Sequence, residues 1–200
     1  MSDAPLHYKS VAELAGLIKT RKLSSLELTQ ALIKRIADLD VRCKSFITPT
    51  FDIAEQQAKE ADEEIAAGNY RGPLHGIPVG LKDAYDTAGI RTTVCSRVTS
   101  DCIPTSDAVA WTKLRAAGAV LMGKLENTEF CLGGPSGDGL VPHARNPWNP
   151  ERYAGGSSSG AGVALAAGLI PAAMGTDTGG SIRIPAAFCG TAGIKPSYGR

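Results

Sequence analysis

Two short turns rich in glycine and hydroxyl groups carry the chemistry that this sequence can do: Gly155-Gly-Ser-Ser-Ser-Gly160 and Gly175-Thr-Asp-Thr-Gly-Gly-Ser-Ile-Arg-Ile-Pro185. Each stands where an apolar strand-like run meets helical texture. Glycine permits positive φ and lets a substrate come close to the backbone. Consecutive amides at Thr178, Gly179, Gly180 and Ser181 suit an oxyanion hole, with serine hydroxyls beside them as nucleophiles.

Three other readings of these turns fall away. A phosphate-cradling loop needs G-x-x-x-x-G-K-[ST], which is absent, and neither turn holds G-x-G-x-x-G. Gly156-Ser-Ser-Ser-Gly160 does match the G-x-S-x-G elbow of α/β-hydrolases. That fold needs a histidine after the serine, and His7, His75 and His143 all lie upstream. A flexible Gly/Ser linker would not be flanked on both sides by Ala/Val/Leu-rich packing texture.

A serine nucleophile without histidine needs another base. Lysine serves when desolvation lowers its pKa enough to leave the amine neutral. Lys82 directly follows the apolar run Ile77–Leu81, a place from which a side chain can be carried into a core. An S-x-x-K arrangement is excluded, because no serine has lysine three residues on.

The elements that must hold these residues are legible in outline. Ser10-x-x-Glu13 and Ser24-x-x-Glu27 are capping boxes opening two amphipathic helices, and Asp52-x-x-Glu55 starts a third that stops at Gly68-Asn69. Residues 1–70 therefore read as a helical covering layer. From residue 71 to 200 strands alternate with helices: strands at Ile77–Leu81, Ala119–Met122, Ala172–Gly175 and Thr191–Lys195, and helices from Ser106 to Ala117 and from Gly160 to Leu169. That order predicts an α/β fold, a three-layer α/β/α sandwich around a mixed, largely parallel sheet. A long Gly/Pro/Asn-rich loop from Cys131 to Ala154 interrupts it, of a length usually tied to function. Gly193 to Arg200 read as a buried strand entering a turn with nothing after it, so the chain reads as truncated at its C-terminus.

Composition narrows the class. With 21 basic and 20 acidic residues, a formal net charge of +1 and 43% hydrophobic residues, this is an ordinary globular chain without the basic face that nucleic-acid binding requires. The longest apolar run, Ala161 to Gly175, is broken by Pro171 and built of small residues, so no membrane span is expected. Five cysteines, without a C-x-x-C, suggest reduced thiols in the cytoplasm and no zinc or other metal site.

Taken together, Gly76-Ile-Pro-Val-Gly-Leu-Lys-Asp83, Gly155-Gly-Ser-Ser-Ser-Gly160 and Gly175 through Gly190 resemble the amidase signature family, in order and in spacing. The resemblance extends from about Val11 to the last residue. It implies Lys82 as general base, Ser157 as a bridging serine preceded by a cis peptide bond, and Ser181 as nucleophile, with no cofactor. It further implies an oxyanion hole at Thr178, Gly179, Gly180 and Ser181, and a segment at Cys131, Leu132 and Gly133 that approaches the acyl pocket. Asp177 and Arg183 read as an ion pair bracing the nucleophile turn, Asp83 as a structural acceptor, His143 as a plain loop residue and Cys189 as packing.

The function implied is hydrolysis of a carbon–nitrogen bond in a small linear amide through a Ser181 acyl-enzyme. The alternatives are the glutaminase subunit of a tRNA-dependent amidotransferase, or an inactive interaction module. Such subunits typically have glutamine where this chain has Ile184, which disfavours the first alternative. The intact triad argues against the second. Oligomeric state is not legible, a homodimer being one option.

Overall fold

The computed structural model describes residues 4–135 and 137–199. Ser136 and Arg200, which fall in the long loop and the terminal segment, lie outside them. Helices α1 (Val11–Lys19) and α2 (Ser25–Cys43) open as expected. At each, the cap serine accepts from the third helical amide and a glutamate reaches back to the cap amide. Helix α3 (Phe51–Ala66) differs at its start: its cap residue is Thr50, whose hydroxyl donates to the Leu121 carbonyl and makes no cap bond. Ser106 likewise caps nothing. Helix α4 (Val109–Ala116) begins after Ala108, and the carboxylate of the intervening Asp107 accepts from the Ala88 amide and pairs with Arg115.

Four strands make one mixed sheet in the order β1-β3-β2-β4. Strand β2 (Pro78–Lys82) lies between β3 (Val120–Leu125) and β4 (Ala172–Met174), parallel to both. Its near-continuous apolar run is what a strand buried on both faces requires. Strand β1 (Phe46–Pro49) pairs antiparallel with β3 and was not anticipated: the first seventy residues supply a strand as well as helices. Four residues ending in proline carry too weak an alternation to read as a strand. Apolar residues of α1, α2 and α3 (Leu14, Ile18, Leu28, Leu32, Ala54) share a single core with Ile77, Val79, Leu81, Leu121 and Leu125. Each large apolar side chain so buried contributes on the order of 1.5–3 kcal/mol.

After the long loop come α5 (Ser159–Ala166) and α6 (Arg183–Cys189). The expected strand at Thr191–Lys195 does not form. No neighbouring strand pairs with it, and Ile194 stands 82% exposed, so its backbone groups have no ladder to join.

Candidate active site

Lys82 ends the central strand β2, and the carboxyl end of a parallel strand is where open α/β sheets place their reacting groups. By the two-residue period of a strand it shares a face with Gly80. A Cβ at Gly80 would come within 2.7 Å of the Leu125 and Ile170 side chains, so that face is tightly covered. The Lys82 side chain is wholly buried. Its Nζ donates to Ser157 Oγ at 2.7 Å and to Thr176 Oγ1 at 2.7 Å. No carboxylate forms an ion pair with it among the described residues. Burial pushes its pKa below the ordinary lysine value, and neighbouring Cys131, Cys95 and Glu126 oppose the shift.

Ser157 is fixed from both sides. The peptide bond Gly156–Ser157 is cis, as the resemblance implied. The Ser157 carbonyl accepts from the Thr128 amide at 3.1 Å, and the next amide, Ser158 N–H, donates to the Ser181 carbonyl at 3.1 Å. Ser158 Oγ also meets both the amide and the carbonyl of Thr176 at 3.3 Å. The two turns singled out by sequence are thus joined backbone to backbone, with Lys82 beneath them. Two glycines make this approach feasible. At Gly155 (φ 80°) a Cβ would sit 2.8 Å from Pro185 Cα in the first turn of α6, and at Gly160 it would strike the Ser45 carbonyl and the Glu126 backbone.

Asp177 organises the second turn. Its carboxylate accepts from the amides of Gly180 (2.7 Å), Ile182 (3.2 Å) and Arg183 (3.3 Å). The Arg183 guanidinium then grips it with two bonds of 3.0 Å. Arg183 first, and these amides after it, hold the Asp177 carboxyl far below the usual carboxylate range. The arrangement corrects one sequence expectation. The Gly180 N–H is spent on Asp177, so the donors left to face a substrate are the amides of Thr178, Gly179 and Ser181. These three have no acceptor among the described residues.

Of the loop residues expected near the acyl pocket, Cys131 is brought beside the Lys82 amine. Leu132 and Gly133 are not: Leu132 is 76% exposed, and a Cβ at Gly133 would meet open space. Phe130 and Cys131 both hold positive φ, at 48° and 61°. Asp83 is the buried acceptor foreseen, taking the amide and hydroxyl of Thr93 at 2.9 and 2.6 Å. Cys189 is fully buried. His143, read as a plain loop residue, has its Nδ1 2.8 Å from Oε1 of buried Glu126.

The Amidase family model matches residues 27–200 of this chain. The chain belongs to the amidase signature family. Among curated amidase relatives it is 49% identical, over 98% of its own length, to a glutamyl-tRNA(Gln) amidotransferase subunit of Methylococcus capsulatus. It is 47% identical, again over 98%, to the same subunit of Roseiflexus castenholzii. The chain spans 40% of the length of each. Two amidase structures agree with the fold: a bacterial aryl acylamidase (TM-score 0.91, 32% identity, 98% of this chain and 41% of that one) and the peptide amidase of Stenotrophomonas maltophilia (TM-score 0.86, 38% identity, 92% and 39%).

Sequence reasoning missed Thr176, the second acceptor of the lysine, and Tyr85, whose hydroxyl donates to the Gly175 carbonyl at 2.6 Å. Thr176 lies inside the quoted Gly175–Pro185 motif, so a signal was present. Tyr85 and Glu126 gave none, because only folding brings them to the site.

Proposed function

We propose that this chain carries the reacting groups of an amidase that cleaves linear amides through a Ser181 acyl-enzyme. One observation carries the reading: a wholly buried amine without a carboxylate partner, 2.7 Å from a serine hydroxyl in the segment hydrogen-bonded to Ser181. A cation desolvated there favours its neutral form. Neutral Lys82 takes the Ser157 proton as Ser157 takes that of Ser181. The Ser181 oxygen then bonds to the amide carbon. The amides of Thr178, Gly179 and Ser181 stabilise the oxyanion, each such donor being typically worth about 2.7–4 kcal/mol of barrier. On collapse the C–N bond breaks, and the proton returns through Ser157 to the leaving amine. Water then attacks the ester, releasing a carboxylic acid and restoring Ser181. Thr176 holds the amine in line, and Asp177 with Arg183 braces the turn. Five free thiols are consistent with a reducing, cytoplasmic setting.

Fluorophosphonate labelling of the intact protein tests this. Ser181→Ala abolishes labelling and Lys82→Ala slows it strongly near neutral pH; undiminished labelling of the Ser181 variant removes that serine as nucleophile.

A second reading is favoured by the relatives at 49% and 47% identity, both named as amidotransferase subunits. In it the same groups release ammonia from glutamine for a partner protein. Ile184, 40% exposed and packed on Gly180, is the departure that weighs against it. Ammonia release from glutamine only in the presence of a partner decides for this reading, and release from simple amides by the protein alone decides for the first.

A further inference from the structure

A cavity of about 250 Å³ lies between α2, the loop at 145–150 and the end of α5. None of its lining residues belongs to the set assigned above to amide cleavage. Its wall holds three guanidinium groups, Arg35, Arg42 and Arg145, and the rings of Tyr8 and Trp148.

Three cations around one small space repel one another unless a counter-charge joins them. None of the three belongs to any ion pair among the described residues. The nearby Asp40 does not serve, because its carboxylate is occupied by the amide and hydroxyl of Ser45 and the amide of Phe46. Arg35 is anchored through Nε and Nη2 to the Ala167 and Gly168 carbonyls at 2.8–3.1 Å, which leaves its Nη1 donors unused. Arg42 and Arg145 are exposed. Arg145 has only a 3.4 Å bond to the Pro150 carbonyl from its side chain.

Trp148 supplies the other half of the argument. It is 75% exposed, yet its indole N–H donates to the Cys189 carbonyl at 2.7 Å and its amide to Asn146 Oδ1 at 3.0 Å. The ring is therefore fixed with its surface open to solvent, ready to stack at little entropic cost. Guanidinium forks match carboxylate and phosphate oxygens. We propose that this cavity binds a planar aromatic anion, a ring bearing a phosphate or carboxylate, independently of amide cleavage.

The test is titration of the intact protein with phenyl phosphate, followed by tryptophan fluorescence. Trp111 is 2% exposed, so quenching reports on Trp148 and disappears in Trp148→Phe. Inorganic phosphate and phenol supply the anion and the ring separately. Phenyl phosphate binds saturably and more tightly than either. Arg42→Gln and Arg145→Gln, which keep the wild-type melting temperature, each weaken it roughly tenfold. Ser181→Ala binds like wild type. Equal affinity in both arginine variants, phenyl phosphate no tighter than inorganic phosphate, or binding lost in Ser181→Ala would each overturn the proposal. Calorimetry with the same three ligands repeats the comparison without the fluorophore.

Discussion

Lys82 and Lys124 leave neighbouring parallel strands toward opposite faces of the sheet, because Lys124 is in register with Leu81 and Lys82 with Leu125. Both are wholly buried, and burial lowers both pKa values. Their surroundings differ in kind. Lys124 has Asp83 Oδ1 at 3.4 Å, the Tyr85 carbonyl at 2.8 Å and the Thr92 hydroxyl, whereas Lys82 has hydroxyl acceptors alone. One lysine is a compensated charge and the other is a base. Lys124→Met leaves the Asp83 carboxylate buried and unpaired, and should cost about 3–5 kcal/mol in urea unfolding. Lys82→Met removes a desolvated cation and should leave stability unchanged or higher while suppressing fluorophosphonate labelling by roughly 10²–10⁴-fold. If the Lys82 variant proved the less stable of the two, this assignment would be reversed.

The pH dependence of labelling follows from the same burial. The reactive form of Lys82 is neutral, so the rate climbs as pH rises through its depressed pKa and falls away on the acid side. Glu126 pushes that pKa upward. Glu126→Gln should therefore move the whole profile to lower pH with its plateau kept. A shift to higher pH, or none, would show that Glu126 does not act on the lysine.

Asp177→Asn removes half of the bidentate grip of Arg183 and part of the amide cap. Arg183 is 56% exposed at its side chain, so the ion pair itself adds little to global stability. The expected result is a melting temperature close to wild type with labelling at least roughly tenfold slower, since the nucleophile turn loses its alignment. Equal losses in both measurements would point to a brace for the whole fold.

Gly155→Ala tests the close approach of the first turn to α6. Positive φ and a Cβ 2.8 Å from Pro185 Cα together should cost about 1–3 kcal/mol. Labelling should fall further than stability alone explains, because α6 follows Ser181 directly. Unchanged unfolding would mean that α6 shifts freely.

The chain itself determined what depends on neighbours in sequence. Capping boxes at Ser10 and Ser24, the apolar run into Lys82 and the two glycine-serine turns were all legible, because caps, periodicity and glycine act over a few residues. Through a family pattern, so was the cis bond at Ser157. Tertiary structure decided the rest. It drew β1 into the sheet, left Thr191–Lys195 without a partner strand and set Thr176, Cys131 and Glu126 around one amine. It spent the Gly180 amide on Asp177 and gave Asp83 to Lys124 rather than to Lys82. Those outcomes turn on which groups meet after burial, and the solvation and pairing of a buried charge have no local signature in a sequence.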